Sequence, residues 1–275
     1  MDLIDVREIR VARTRDDVTF GYGEVPLGGG TWLFSEPQPG TTGLVDLTAL
    51  DWDPITLTHD SIVVSATCTV AELGRLPAQD GWLAHGLIDQ CINSFLASFK
   101  IWNVATVGGN ICTSLPAGPM ISLAAALDAT ALIWTAGAGE RRMPVAQFVL
   151  GSRLNELAPG EVLRAIEFPL DTMTSRTAFR RIALSPLGRT GTLVIGRLDA
   201  TTPSGGGGVV FTITGGTSRP RQLRYDTMPS AAELDAGLAE IRDWYSDAHG
   251  SPDWRQALSG QFAHEIREEL STPAP

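Results

Sequence analysis

The order of apolar and polar positions along the chain predicts short strands and helices in mixed succession. Residues Asp60 to Ala66, DSIVVSA, form an apolar run with a polar start, the pattern of a buried strand. Shortly after it, Thr69 and Glu72 make the reciprocal pair of a capping box, so a helix is expected to start at Val70. The Ala- and Leu-rich run Ile121 to Ala131 predicts a buried helix, with Pro119 placed to stop any earlier one. Leu163 to Phe168 predicts a strand that Pro169 closes.

Beyond Phe168 the pattern is simpler. Thr177 to Leu184, Thr192 to Leu198 and Val209 to Thr214 are β-prone runs separated by turn-rich segments, which predicts a small three-stranded antiparallel sheet. A second capping box, Ser230 with Glu233, precedes Leu234, Leu238, Ile241 and Tyr245, spaced for one helical face. Ser251 then caps a last helix with Pro252 at its first position, and Trp254, Leu258, Phe262, Ile266 and Leu270 form its apolar stripe. Both stripes read as core. The apolar pattern pauses at Leu170 to Arg176, LDTMTSR, so a boundary is expected near residues 169–176. It separates a domain over 1–170, itself divided into 1–55 and 56–170, from a second over 175–275. The tetraglycine Gly205 to Gly208 is expected to be one loop. The fold class expected is α+β.

Composition narrows the partners. With 275 residues, 43% of them hydrophobic, the chain can bury a sizeable core. A formal charge of -10 opposes binding to nucleic acid or to an anionic membrane surface, both of which need basic patches. No apolar run approaches the ~20 residues of a spanning helix. The start, MDLIDVREIR, lacks the basic and apolar regions of a signal peptide, so a cytoplasmic protein is expected. The widely spaced Cys68, Cys91 and Cys112 argue against a disulfide framework, a zinc site and a cysteine-ligated iron–sulfur cluster. Any redox work therefore needs an organic cofactor.

Two glycine clusters carry the candidate chemistry. The first is Leu27-Gly28-Gly29-Gly30-Thr31-Trp32-Leu33. Consecutive glycines let successive backbone N–H groups turn toward one point and cradle a pyrophosphate without a lysine. An ordinary glycine turn between strand and helix fits the same letters, and the run matches neither G-x-G-x-x-G nor G-x-x-x-x-G-K-[ST]. The second is Thr106-Val107-Gly108-Gly109-Asn110, where paired glycines mark a close approach of backbone or ligand, and Thr106 and Asn110 add a hydroxyl and an amide. Two such loops suit the two ends of an extended dinucleotide; a structural bulge is the other reading. His59, His85, His249 and His264 fit no metal-ligand spacing, no nucleophile motif occurs and no carboxylate pair suggests acid–base work, so no catalytic or metal-binding residue is expected.

The run Asn103 to Ile111, NVATVGGNI, together with Gly28-Gly29-Gly30-Thr31, resembles the paired FAD loops of the medium subunit of molybdenum hydroxylases, the xanthine dehydrogenase, aldehyde oxidase and carbon monoxide dehydrogenase type. LVDLTAL at Leu44 to Leu50, LDATALI at Leu127 to Ile133, PGEVLRAIEFP at Pro159 to Pro169 and SPDWR at Ser251 to Arg255 follow in the same order. The resemblance implies a two-part FAD-binding domain of the vanillyl-alcohol oxidase type, then the small sheet with C-terminal helices. It implies that backbone amides of Gly28 to Leu33 hold the FAD pyrophosphate, with Leu27 beside them in the cofactor site, and that Thr106 to Asn110 contact its pyrophosphate and ribityl side. Val162 and Leu163 are implied beside the flavin ring, and Arg180 falls where the family often has a lysine near it. A fixed cation there stabilises an anionic reduced flavin; a solvated residue on a strand is the other reading of Arg180.

By the same resemblance the chain relays electrons from the [2Fe-2S] clusters of a small subunit to an external acceptor. A large molybdopterin-binding subunit hydroxylates the substrate, and the assembly is of the dimer-of-heterotrimers kind. Two features depart from the family pattern: Pro119 stands about where an aspartate reaches the cofactor, and Trp32 replaces a small polar residue. An FAD-deficient scaffold subunit and a stand-alone flavin oxidoreductase are the alternatives.

Overall fold

The computed structural model describes residues 3–200 and 207–272. Among the described residues three sheets of three or more strands organise the chain, beside the two-stranded pair Val149–Gly151 and Leu154–Asn155. The first is small and parallel: Gly43–Asp46 lies between Glu8–Val11 and Glu24–Leu27. The second has five strands in the order Ile55–Leu57, Ser61–Ser65, Val162–Pro169, Thr130–Trp134 and Glu140–Pro144, every neighbour antiparallel. The third is an antiparallel meander of Arg176–Ile182, Thr192–Leu198, Val209–Thr214 and Arg221–Tyr225.

The helix Pro119–Ala126 lies between the second and third sheets and is buried at all eight positions. A helix covered on every side needs small or apolar residues all round rather than one stripe, which PMISLAAA supplies. Its one hydroxyl is satisfied by a bond across to the third sheet, Ser122 Oγ to Thr214 Oγ1 at 2.7 Å. One apolar core runs from Ile62 and Val64 through Ile111, Leu123 and Phe148 to Leu193 and Ile195. A second core forms where Phe262, Ile266 and Leu270 of the long helix Pro252–Ser271 meet Val194, Phe211 and Ile213.

Charge also ties the layers. Arg197, buried on the third sheet, donates to the Ala126 carbonyl at 2.7 Å, to Asp128 at 2.7 Å and to Asp199 at 2.6 Å. Arg224 bonds Asp128 as well. Asp128 sits in the left-handed region at φ 51°, in the turn between the buried helix and the strand Thr130–Trp134. The helix expected over 121–131 is corrected by this turn: it starts at Pro119, as proline at a first helical position does, and ends at Ala126. The remainder becomes strand, with Ala131 and Ile133 buried on alternate positions.

Other expectations stand in part. The strands Thr192–Leu198 and Val209–Thr214 and all three helix caps, Thr69, Ser230 and Ser251, form as expected. The three-stranded sheet is corrected to four strands. Arg221–Tyr225, RQLRY, escapes a hydrophobic pattern because it is an edge strand whose arginines meet Asp243 and Asp128. Tyr245 is not on the second capped helix, which ends at Ala239. The tetraglycine lies partly outside the described residues.

Candidate functional site

The strand Glu24–Leu27 leads straight into the first glycine cluster. Leu27 is itself core: its carbonyl accepts from Leu47 N at 2.9 Å. From Gly28 to Leu33 six consecutive backbone N–H groups find no acceptor among the described residues. Such a row of unpaired donors is uncommon in a folded chain and is the property an anion cradle requires. Gly29 is fixed by packing, because a Cβ there would lie 1.7 Å from the Val104 carbonyl oxygen.

The second cluster approaches the first from the side. Thr106 caps the helix Val107–Thr113, its Oγ1 accepting from Gly109 N at 3.0 Å. Val107 N donates to Cys68 O at 2.8 Å and Gly108 N to Ala66 O at 3.0 Å, so these two amides are spent on anchoring the loop. Gly108 must be glycine because an added Cβ would stand 2.4 Å from that of Ala66. Asn110 Oδ1 accepts from Met120 N at 3.0 Å and thereby fixes the start of the buried helix. A Cβ on Gly28 would lie 3.0 Å from Thr106 Oγ1, so the two loops touch. That corrects the expectation that they hold the two ends of a ligand: close glycine packing brings both to one wall.

The wall belongs to a cavity of about 720 Å³, within the ~300–1,000 Å³ usual for ligand sites. Gly28, Gly29, Gly30, Thr31, Trp32, Leu33, Thr106, Gly109 and Asn110 line it. Leu27, Val107 and Gly108 support the wall from behind. Val162 and Leu163 are core residues of the second sheet, paired with Trp134 and Ile133, and do not reach the lining. Arg180 is also elsewhere: Glu265 at 3.0 Å and Glu269 at 2.7 Å hold its guanidinium against the last helix.

Sequence reasoning missed the opposite side of the cavity, which comes from the turn Ser152-Arg153, the hairpin residues Leu187, Arg189 and Thr190, and Gly215, Tyr245, Asp247 and Arg255. Arg255 is buried; it donates to the carbonyls of Gly250, at 3.1 Å, and Gly215, and pairs with Asp247. Its guanidinium lies over the Tyr245 ring at 5.6 Å, and Tyr245 reaches Ser152 Oγ at 3.3 Å. Arg255 was legible only as one letter of SPDWR, and nothing local marks Arg153 or Arg189. Cys112 also lines the cavity, and burial pushes its thiol up to about 12, so it offers no thiolate at neutral pH. No helix among the described residues is long and apolar enough to cross a membrane.

Comparison with known proteins extends these observations. The family described as "FAD binding domain in molybdopterin dehydrogenase" matches residues 20–171. Xanthine dehydrogenase of Oryza sativa subsp. japonica is 39% identical over 75 residues, 27% of this chain and 6% of that protein. Xanthine dehydrogenase 1 of Arabidopsis thaliana is 28% identical over 123 residues, 42% of this chain and 9% of that protein. The chain thus matches less than a tenth of the length of these curated relatives. Carbon monoxide dehydrogenase from Hydrogenophaga pseudoflava, in a form lacking the Mo-pyranopterin moiety, superposes with a TM-score of 0.80 at 18% identity over 96% of both chains. Quinoline 2-oxidoreductase from Pseudomonas putida 86 does so with a TM-score of 0.74 at 19% identity, over 96% of this chain and 98% of that one. At such identities the likeness is one of fold.

Proposed function

The chain belongs to the FAD-binding domain family of molybdopterin dehydrogenases, an oxidoreductase family, and from that membership we propose that it is the FAD-binding, electron-relaying subunit of a molybdenum hydroxylase complex. The observation that carries the reading is the row of six unpaired amides, Gly28 to Leu33, at the wall of the cavity. These residues fit the group: a pyrophosphate brings acceptor oxygens to donors that otherwise have none. Thr106, Gly109 and Asn110 complete that wall, while Leu27, Val107 and Gly108 hold it in place. When bound, FAD supplies exchange between one-electron and two-electron carriers.

The protein's own work is to bind and orient. Gly29 against Val104 and Gly108 against Ala66 lock the two loops together, so the donors are positioned before the cofactor arrives. The Tyr245 to Ser152 bond closes the far side of the cavity. The partners proposed are a small subunit with two [2Fe-2S] clusters, which delivers electrons, and a large molybdopterin-binding subunit, which hydroxylates the substrate, in a dimer of heterotrimers. The acceptor is external. The free thiols Cys68, Cys91 and Cys112 suit the reducing cytoplasm in which this reading places the complex.

The proposed organisation is an FAD-binding domain over 1–170, with parts 1–55 and 56–170, and a further domain over 175–275. In support, the parallel sheet ends at Asp46, the five-stranded sheet at Pro169, and the third sheet begins at Arg176. The test is an absorbance spectrum of the chain purified with its co-expressed partners, followed by acid release of the cofactor. About one FAD per chain, bleached by substrate only with the partners present, is the expected result. A colourless chain that assembles yet takes up no added FAD overturns the relay and leaves the scaffold.

A further inference from the structure

The parallel-sheet part, which carries the first glycine loop, is joined to the five-stranded part by little apolar surface. Ala12, Val45 and Leu47, with Val18, Phe20 and Leu50 packed on them, form a small core to which Val162 is the one contributor from beyond residue 55. So thin a seam leaves relative motion of the two parts as the expected behaviour unless other contacts stop it. The contacts of Gly28 with Thr106 and of Gly29 with Val104 set how near the two loops come. Contact at one place still leaves rotation about it free.

A stack of cations and indoles supplies a second attachment. The Arg15 guanidinium lies 4.6 Å from the centre of the Trp134 ring; that of Arg164 lies 4.1 Å from the Trp52 ring and 5.7 Å from the Trp134 ring. The two indoles meet edge to face at 5.2 Å. Arg15 also donates to the Gly139 carbonyl and stands 3.9 Å from Glu140. Arg15 and Trp52 belong to 1–55, whereas Trp134, Gly139, Glu140 and Arg164 belong to 56–170, so all of these contacts except that of Arg164 with Trp134 cross the junction. Arg164 is the extra residue of a strand irregularity, since Leu163 pairs with Ile133 and Ala165 with Leu132, and such bulges re-aim a side chain.

Hydrogen bonds continue from the stack to the cradle. Arg15 opens the short helix Arg15–Asp17, and Thr19 N donates back to the Asp17 carbonyl at 2.9 Å. Arg10 donates to the Thr19 carbonyl at 2.6 Å and to Glu24 at 2.7 Å. Glu24 begins the strand that ends at Leu27, directly before Gly28. Bonded elements thus connect Arg15 to the first glycine loop, although Arg15, Trp52, Trp134 and Arg164 do not line the cavity.

Resting on the FAD reading above, we infer that Arg15 and Trp134 are positioning residues for the cofactor: from outside the cavity their clasp fixes the angle at which the Gly28 to Leu33 amides meet the second loop, and so sets FAD affinity. Coupling between binding and clasp is reciprocal, so bound FAD tightens the clasp in turn.

The test is an equilibrium titration of the full chain with FAD, with melting curves alongside and amide hydrogen exchange of residues 13–20 followed with and without FAD. Arg15→Gln and Trp134→Leu are each expected to raise the FAD dissociation constant about tenfold, the size of one lost cation–aromatic contact. The double variant is expected to bind no worse than the weaker single one, because either change opens the same clasp. Arg15→Lys keeps a cation over the ring and is expected to bind within about threefold of the parent. Arg141→Gln, an arginine paired with Glu161 on the strand Glu140–Pro144, is expected to leave affinity where it was. In the parent, FAD is expected to slow exchange at 13–20. A lowered melting temperature with unchanged FAD affinity overturns the inference, since the clasp is then only a brace. Additive losses in the double variant overturn it too. Exchange at 13–20 that ignores FAD in the parent does the same, and that result needs no variant to fold. A parent chain that binds no FAD overturns the FAD reading as well.

Discussion

Replacing Gly29 with alanine puts a methyl group 1.7 Å from the Val104 carbonyl oxygen, where real contacts stay beyond 3.0 Å. The two loops must then part by about 1.3 Å. A hydrogen bond near 2.9 Å does not survive such a shift. Losing two charge-assisted bonds between the Gly28–Leu33 amides and a pyrophosphate, at about 1.5–3 kcal/mol each, removes about 3–6 kcal/mol. FAD affinity is therefore expected to fall on the order of a hundredfold to ten-thousandfold. The fold itself loses about 1–3 kcal/mol from overpacking, which a melting curve recorded in parallel detects. The assay is an equilibrium titration of the apo chain with FAD, following flavin fluorescence. Gly86→Ala is the control, since a Cβ there meets nothing within 4 Å. A folded Gly29→Ala chain that binds FAD within threefold of the parent refutes the reasoning, because the amides are then not the cradle.

Three further outcomes are expected. Arg197→Met leaves Asp199 and the Ala126 carbonyl without their buried partner, and breaking such a pair costs about 3–5 kcal/mol; urea unfolding with an unchanged slope measures it, and a loss below 1 kcal/mol contradicts it. Stability falls in acid: burial pushes Asp128 and Asp243 up, but their bonds to Arg224 and Arg221 outweigh it, and the Arg141 bond draws Glu161 down. Carboxyls lowered in the folded state stabilise it above their unfolded values and cease to as pH drops through the folded ones, so the melting temperature should decline from about pH 5 downward; a flat profile from pH 6 to pH 3 is the contrary result. Finally, burial holds Cys68 and Cys112 at about 12 and pushes Cys91 up as well. Iodoacetamide at pH 8 is thus expected to leave the native chain unlabelled and to modify all three thiols in guanidinium, as mass spectrometry reads directly.

Much of the fold was legible wherever local chemistry decides it. The capping boxes at Thr69 and Ser230 and the strands Thr192–Leu198 and Val209–Thr214 each carry their own signal over a few residues. Elements decided by distant partners were not legible. Arg221–Tyr225 is a strand because Val209–Thr214 offers it an edge, and the buried helix stops at Ala126 because arginines of another sheet hold Asp128. The candidate site divides the same way. Glycines announce themselves, so the cradle was visible from the letters Gly28 to Gly30 and Gly108 to Asn110. Arg153 and Arg189 sit in turns that resemble any other, and only folding shows that both face one cavity while Arg180 is held outside it.

The cavity takes its wall from Val25 at one extreme and Arg255 at the other, and that span has a consequence for biogenesis. Sites closed by contacts so far apart in sequence form late, because the intervening chain must be ordered first. During synthesis, at ~5–20 residues per second, the glycine cradle leaves the ribosome tens of seconds before the last helix brings Arg255 to Gly215 and Asp247. Flavin loading at this cavity is thus expected only once the last helix has been made. A chain made without flavin lacks the stabilisation that a bound ligand contributes to the native state.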